Sequence, residues 1–229
     1  MKYKAVIFDL FGTLVDNFSF QDHQQMLSEM ADVLKVSSDD FVRLWIETFN
    51  NRITGKFQTP ESNIEYICRQ LGVIPEAQYI KSAAKIRRDF TRSMLKPRND
   101  ACEVLSNLKS KGLKIGLITD CSSEVPIIWE DTPFASLIDE PVFSCLTGMK
   151  KPDPQIYQMA CKRLGVDPQY CLYIGDGSNR ELTGASKVGM HPVLIRVPYE
   201  DDNYAFRINP EEWDGNKVSA LKDILDFLV

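Results

Sequence analysis

Short apolar runs recur along the chain, and most of them end at a glycine, a proline or a polar side chain. The first run, AVIF at residues 5–8, stops at Asp9 and is followed by a turn at Gly12. Short runs bounded by such residues predict buried strands. The other runs lie at residues 113–118, 141–145, 171–174 and 192–197, and the one at 141–145 is the weakest.

Apolar positions at helical spacing separate the later runs and also follow the last of them. These segments are residues 100–111, 154–164, 181–188 and 218–228. Glycine follows each of the first three, as is common where helices end. Strands that alternate with helices in this way predict an α/β fold built on a doubly wound parallel sheet.

Residues 17–95 interrupt this alternation. We predict that they form an all-helical domain inserted into a core made of residues 1–16 and 96–229. The methionines and aromatic residues of this stretch, Trp45 among them, are interpreted as its packing core. The helical patterns lie near residues 26–34, 41–49, 64–71 and 80–94, with no convincing strand between them.

The composition is that of an ordinary globular protein of 229 residues, with 44% hydrophobic and 26% charged residues. A net charge of −5 argues against a nucleic acid or an anionic membrane as partner, but leaves room for a small anionic metabolite. No apolar run approaches the roughly 20 residues of a membrane-spanning helix, and the first strand leaves no room for a signal peptide. The six cysteines are dispersed, so we expect reduced thiols. We also expect a cytoplasmic protein that is a monomer or a homodimer.

Polar side chains follow four of the predicted strands, at the point where each strand ends. In a parallel sheet these ends converge on one edge. A carboxylate there can attack an electrophile, and a hydroxyl and a lysine can hold the oxygens of an anion. A further carboxylate can complete a magnesium site. The residues are Asp9 after the first strand, Thr119 and Asp120 after the second, Lys151 after the third, and Asp176 and Glu181 after the fourth.

Four motifs occur in order along nearly the whole chain. In this combination the sequence resembles the haloacid dehalogenase superfamily of hydrolases, especially members similar to phosphoglycolate phosphatase and haloacid dehalogenase. The resemblance implies a Rossmann-like core with an inserted helical cap and a requirement for Mg²⁺. The motifs are FDLFGTL (residues 8–14), LITD (117–120), KKPDPQIY (150–157) and YIGDGSNRELTGASKVGM (173–190).

The resemblance also implies roles for residues around the substrate. Asp9 would be the nucleophile, and Thr119 would bind the phosphate. Lys151 would supply the charge that positions nucleophile and substrate. Asp120 and Gly12 match positions of the same motifs and are expected beside the substrate, where a glycine lets the backbone approach closely.

A magnesium site is implied at the same edge. Asp9, Asp176 and the backbone carbonyl of Phe11 would be its ligands. Glu181 stands where the family more often has aspartate. It could be an outer-sphere partner of the metal or could hold Lys151.

Phe11 is the main departure from the family's phosphatases, which usually carry a second aspartate at this position to protonate the leaving alcohol. Family dehalogenases also lack that aspartate, since a halide leaves without a proton. They commonly have Ser-Asn where this chain has Thr119 and Asp120, which favours phosphoryl transfer. Hydrolysis of a small phosphorylated metabolite is therefore the first hypothesis. The alternatives are 2-haloacid dehalogenation and a weakly active or non-catalytic binding role.

Basic residues of the helical insertion are candidates for contact with an anionic substrate. Arg52 and Lys56 lie between two predicted helices and could face the core, although a solvated loop explains them equally well. We interpret Arg87 as a surface charge. His23 and His191 lack a motif that would assign them to catalysis.

Overall fold

A computed structural model of the chain describes residues 2–17, 19–200, 207 and 209–228. Residue 18 of the predicted helical domain lies outside this range, as do residues 1, 201–206, 208 and 229 of the predicted core. Five helices occupy residues 20–94, which we call the helical segment. They are α1 (Phe20–Leu34), α2 (Ser38–Glu47), α3 (Phe49–Ile53), α4 (Pro60–Gln70) and α5 (Ala77–Met94).

Polar caps and an apolar centre explain why the helical segment folds in this way. The hydroxyl of Ser19 accepts a hydrogen bond from the backbone of Asp22 and so caps α1. Thr59 and Ser62 form a reciprocal capping box at the start of α4. Most of the buried apolar residues of the segment form one hydrophobic cluster of their own, in which Trp45 is 1% exposed. Its role as packing core is thus confirmed.

The remainder of the described chain forms a six-stranded parallel sheet. The strands are β1 (Ala5–Phe8), β2 (Lys114–Thr119), β3 (Glu140–Phe143), β4 (Cys171–Gly175), β5 (His191–Ile195) and β6 (Lys217–Val218). Their spatial order is β3-β2-β1-β4-β5-β6, and every neighbouring pair is parallel. This confirms the doubly wound α/β fold, with β1 in the interior of the sheet.

Helices cover both faces of the sheet. They are α6 (Ala101–Ser110), α7 (Glu124–Ile128), α8 (Ser144–Thr147), α9 (Pro154–Leu164) and α10 (Glu181–Lys187). Val6 and Phe8 of β1 belong to one hydrophobic cluster, and Ala5 and Ile7 belong to another. Because successive side chains of a strand point to opposite faces, β1 is buried on both sides.

Two predicted elements differ from the structure. The predicted helix at residues 218–228 begins only at Leu221 and is a 3₁₀ helix, because Val218 pairs with Ile195 of β5 and ends a short edge strand. The predicted strand at residues 141–145 gives way to α8 at Ser144, whose hydroxyl contacts the backbone of Cys121. Within the described residues, no helix is long and apolar enough to cross a membrane.

Candidate active site

The strand register brings the predicted polar groups to one edge. Phe8 pairs with Leu117 of β2 and with Ile174 of β4. Asp9, the next residue, therefore emerges between the ends of these two strands, and its backbone N–H donates to the carbonyl of Ile174. The polar residues after β2 and β4 flank it on either side.

Lys151 joins two carboxylates at this edge. Its Nζ lies 2.5 Å from Oδ1 of Asp9 and 2.6 Å from Oε2 of Glu181, and the three side chains are almost fully buried. The second oxygen of Asp9, Oδ2, accepts a longer hydrogen bond of 3.3 Å from Thr13. Asp9 thus has one oxygen fixed by a cation and one that is held weakly.

Glu181 is enclosed by donors. Tyr173 donates to Oε2 at 2.8 Å, and the backbone N–H of Gly177 donates to Oε1 at 2.9 Å. A Cβ at Gly175 would overlap the Glu181 carboxylate, so the extra methylene of glutamate is accommodated by a residue without a side chain. Of the two roles expected for Glu181, the structure has it holding Lys151.

The buried charges shift one another's pKa values. Burial raises the pKa of Asp9 from 3.8 to about 6, and the charge of Asp176 adds to this, while Lys151 partly offsets it. Burial alone would lower the pKa of Lys151, but the carboxylates of Asp9 and Glu181 outweigh it and raise that pKa well above 10.5. Burial raises the pKa of Glu181, whereas its three donors favour the ionised form. At neutral pH the lysine is charged and Asp9 is mainly a carboxylate.

Thr119 and Asp120 differ in how they are engaged. The hydroxyl of Thr119 borders the same cavity as Asp9, is buried, and has no hydrogen-bond partner among the described residues. Asp120 accepts from the backbone of Lys151 and from the side chain of Asn179, each at 3.0 Å. Asp120 therefore contacts the backbone of Lys151, and it also borders the cavity beside Thr119.

Asp176 is held by an arginine and an asparagine and is absent from the described border of the cavity. Its Oδ2 lies 3.0 Å from Nε of Arg207 and 3.2 Å from Nδ2 of Asn17. Arg196 also donates to its backbone carbonyl. Gly12, at a φ of +79°, leaves room for this group, because a Cβ there would lie 2.5 Å from Oδ2 of Asp176. Gly12 is thus placed against Asp176 and is absent from the described residues that border the cavity.

The predicted metal ligands form an acidic cluster. Oxygens of Asp9, Asp176 and Glu181 lie within 4.8 Å of one another. Carboxylates are the ligands that Mg²⁺ favours, so the donor set fits this ion chemically. In the described arrangement these oxygens bind Lys151 and Arg207.

A cavity of about 380 Å³ extends from this edge to the helical segment. Asp9, Thr119 and Lys151 border it at the sheet, and Phe11 is part of its wall. The wall is mainly apolar, which suits the body of a small organic molecule. Its other apolar residues are Trp45, Ile46, Phe49, Ile53, Phe90, Met94 and Val125.

Basic groups border the cavity on the helical segment. Arg52 is 5% exposed and lies 4.3 Å from the ring of Trp45. Arg87 lies 5.5 Å from the same ring and pairs with Glu124, so its interpretation as a surface charge is wrong. His23 borders the cavity as well, and burial together with both arginines lowers its pKa to about 3, which keeps it neutral.

Lys56 does not join these groups. It is exposed, lies 5.6 Å from the ring of Tyr66, and is absent from the described border of the cavity. Its neighbour Gly55 packs against the backbone of Cys145, and the lysine follows the turn outward. Of the two basic residues considered between the predicted helices, only Arg52 reaches the cavity.

Known proteins match both the sequence and the fold. A family model described as haloacid dehalogenase-like hydrolase matches residues 3–189. A glyceraldehyde 3-phosphate phosphatase from Methanopyrus kandleri is 31% identical, over 72% of this chain and 71% of the relative. An (S)-2-haloacid dehalogenase 4A from Burkholderia cepacia is 26% identical, over 97% of this chain and 94% of the relative.

A solved structure supports the fold independently. It is a family enzyme from Bacteroides thetaiotaomicron in complex with magnesium and inorganic phosphate, with a TM-score of 0.64 and 16% identity. The match covers 88% of this chain and 98% of that structure.

Proposed function

Because the chain belongs to the haloacid dehalogenase-like hydrolase family, we propose that it hydrolyses a small phosphorylated metabolite through a covalent intermediate on Asp9. The Thr119 hydroxyl carries this proposal. It is buried at the cavity and lacks a hydrogen-bond partner among the described residues. An oxygen of a bound phosphoryl group would satisfy it, and the nearby charge of Lys151 would favour the anion.

The contacts of Asp9 support its role as nucleophile. Lys151 holds Oδ1 at 2.5 Å, so Oδ2 is the oxygen left to react. Attack on phosphorus forms an acyl phosphate on Asp9 as the bond from phosphorus to the leaving oxygen breaks. Water then hydrolyses the acyl phosphate and releases inorganic phosphate with the carboxylate restored. Lys151 neutralises charge and holds Asp9 in place.

Phe11 restricts the leaving group. The side chain at this position cannot donate a proton, and His23 is neutral, so its remaining N–H is too weak an acid to protonate the leaving group. An alkoxide therefore leaves poorly, whereas a carboxylate or another weakly basic oxygen leaves without assistance. We propose an acyl phosphate or a similarly activated phosphate ester as the substrate.

A magnesium ion fits this proposal. Asp9, Asp176 and the carbonyl of Phe11 would hold it, and the acidic cluster supports this choice. When bound, Mg²⁺ would neutralise phosphate oxygens. The guanidinium of Arg207 contacts Oδ2 of Asp176, so it would have to leave this oxygen before the metal could bind there. The phosphate- and magnesium-bound neighbour of similar fold is consistent with such a site.

We also propose that the helical segment acts as the cap of the active site. In this division residues 17–95 form the cap domain, and residues 1–16 and 96–229 form the core. Residues of the helical segment form most of the apolar wall of the cavity, which supports this function. Six free cysteines are consistent with a cytoplasmic monomer or homodimer.

Carbon–halogen hydrolysis of a 2-haloacid is the second candidate. Phe11 favours it, because a halide leaves without a proton, and the apolar cavity wall suits the carbon chain of a short haloacid. The contact of Arg207 with Asp176 is also compatible with a reaction that uses no metal. The haloacid dehalogenase relative covers nearly the whole chain.

A substrate panel tests both candidates. Acyl phosphates, phosphate esters and 2-haloacids are assayed for released phosphate or halide, with Mg²⁺ and with a chelator. We expect phosphate release that Asp9→Asn abolishes. The control Asp131→Asn changes an exposed carboxylate outside the cavity and should keep full activity. Halide release resistant to the chelator, without phosphate release, would replace the first candidate with the second.

A further inference from the structure

Arg52 is a buried cation with unused donors. Only its Nη1 is engaged, by the carbonyl of Trp45 at 2.5 Å and the hydroxyl of Thr48 at 2.8 Å. A guanidinium carries five N–H groups. The hydrogen bonds of the described residues account for one nitrogen, and the side chain borders the cavity.

The charge of Arg52 is not neutralised by an ion pair. Among the described residues, no carboxylate forms a salt bridge with it, although it is 5% exposed. Burial and the neighbouring Arg87 lower its pKa from 12.5 to about 9, so it stays charged at neutral pH. Glu124 has a weaker, opposing effect on this pKa but forms no salt bridge with Arg52. A buried charge without a directly paired counterion is costly, and a bound anion would reduce that cost.

Arg87, in contrast to Arg52, is paired with a carboxylate. Its Nε lies 3.2 Å from Oε1 of Glu124, whose side chain is 1% exposed. Burial alone would raise the pKa of Glu124, but Arg87 outweighs it and holds that pKa below its ordinary value. The two form a neutral pair, which leaves a single net positive charge, that of Arg52, on this side of the cavity.

A second donor at the same place lacks an acceptor. The indole Nε1 of Trp45 is buried and has no partner among the described residues. The Arg52 guanidinium lies 4.3 Å from this ring. Buried N–H groups are nearly always paired, so an unpaired indole beside an unneutralised guanidinium indicates a missing acceptor.

We propose that Arg52 and Trp45 bind a carboxylate of the substrate where the helical segment borders the cavity. A carboxylate matches the single charge and the planar donor pattern of the guanidinium, whereas a phosphate dianion would leave excess negative charge. Resting on the proposed function, this assigns the substrate to small phosphorylated carboxylic acids with a short apolar body. The cavity volume of about 380 Å³ suits such a compound.

The test compares acids with their neutral counterparts. Acyl phosphates of dicarboxylic acids of two to five carbons, which keep one free carboxylate, are assayed beside the matching acyl phosphates in which that carboxylate is a primary amide. We expect wild type to favour at least one acid over its amide by tenfold or more in kcat/KM. Arg52→Gln should reduce this ratio to about twofold or less, and Arg52→Lys should retain part of it. Arg69→Gln, an exposed arginine of the helical segment, should leave the ratio unchanged.

A binding measurement separates this inference from the proposed phosphatase activity. Calorimetry with Asp9→Asn and aliphatic carboxylates of two to six carbons requires no turnover. Saturable binding of carboxylates but not of amides, lost in Asp9→Asn/Arg52→Gln, is expected. Thermal melting establishes that each variant is folded. Absence of turnover with binding intact would refute only the phosphatase. Equal turnover of acids and amides, or no carboxylate binding, would overturn the assignment of Arg52.

Discussion

Arg207 holds the carboxylate of Asp176 through its Nε, 3.0 Å from Oδ2, across 31 residues of sequence. The same guanidinium reaches Glu200 through Nη2 at 2.7 Å, and Glu200 in turn contacts Arg98 at 2.5 Å. A carboxylate assigned by motif to a metal therefore already has an internal cation.

Replacing Arg207 should strengthen magnesium binding. In Arg207→Gln the metal no longer competes with a charge-assisted contact worth about 1.5–3 kcal/mol, so we expect a roughly tenfold lower apparent Kd for Mg²⁺. Titration of phosphatase activity with Mg²⁺ measures this, with the exposed Arg92→Gln as control. A variant that loses metal-independent turnover instead would identify Arg207 as a substitute for the ion.

Restoring a proton donor at Phe11 should broaden the range of leaving groups. We expect Phe11→Asp to raise turnover of alkyl phosphates by about 10²–10⁴-fold, because a carboxylic acid can protonate the alkoxide. Acyl phosphates should gain little, since their leaving group needs no proton. The comparison of both substrate types in Phe11→Asp and Phe11→Asn measures the effect. Equal gains in the two variants would point to a change of shape rather than proton transfer.

The pKa of Asp9 should determine how kcat/KM depends on pH. In the proposed mechanism the carboxylate of Asp9 is the reactive form, and burial raises its pKa to about 6. In the free enzyme, kcat/KM should therefore be level above this pH and fall about tenfold per unit below it. Assays with an acyl phosphate between about pH 4.5 and 8 give the midpoint. If kcat/KM stayed level down to about pH 4.5, the strong effect of burial on this pKa would be contradicted.

Glu181 should matter for stability as well as for activity. Glu181→Gln removes one carboxylate from the buried Lys151 and leaves its donors imperfectly matched. Breaking a buried ion pair costs about 3–5 kcal/mol, which should appear in the free energy of unfolding measured in urea. Glu130→Gln, at an exposed position, should stay within about 0.5 kcal/mol of wild type. An equally stable Glu181→Gln would mean that Lys151 needs only Asp9.

Local sequence patterns predict the strands and the residues at their ends, because both depend on a few neighbouring positions. Asp9, Thr119 and Lys151 are found in this way, and they do meet at one cavity. Local patterns do not predict the contacts of Arg87 and Arg207, because these depend on residues that distant segments place beside them. A charged residue on an amphipathic helix looks the same in sequence whether it faces solvent or a cavity.

The position of β1 has a consequence for the order in which the chain folds during synthesis. This strand lies between β2 and β4, whose first paired residues are Lys114 and Cys171, and Asp9 meets Lys151 across 142 residues. During synthesis from the N-terminus, β1 emerges long before either neighbour, whereas the helices of residues 20–94 contact one another locally. The helical segment should consequently fold first, while neither edge of β1 is yet paired with a neighbouring strand. Loss of the last third of the chain would remove β4, so Asp9 would be synthesised but would lack one of the two strands that flank it.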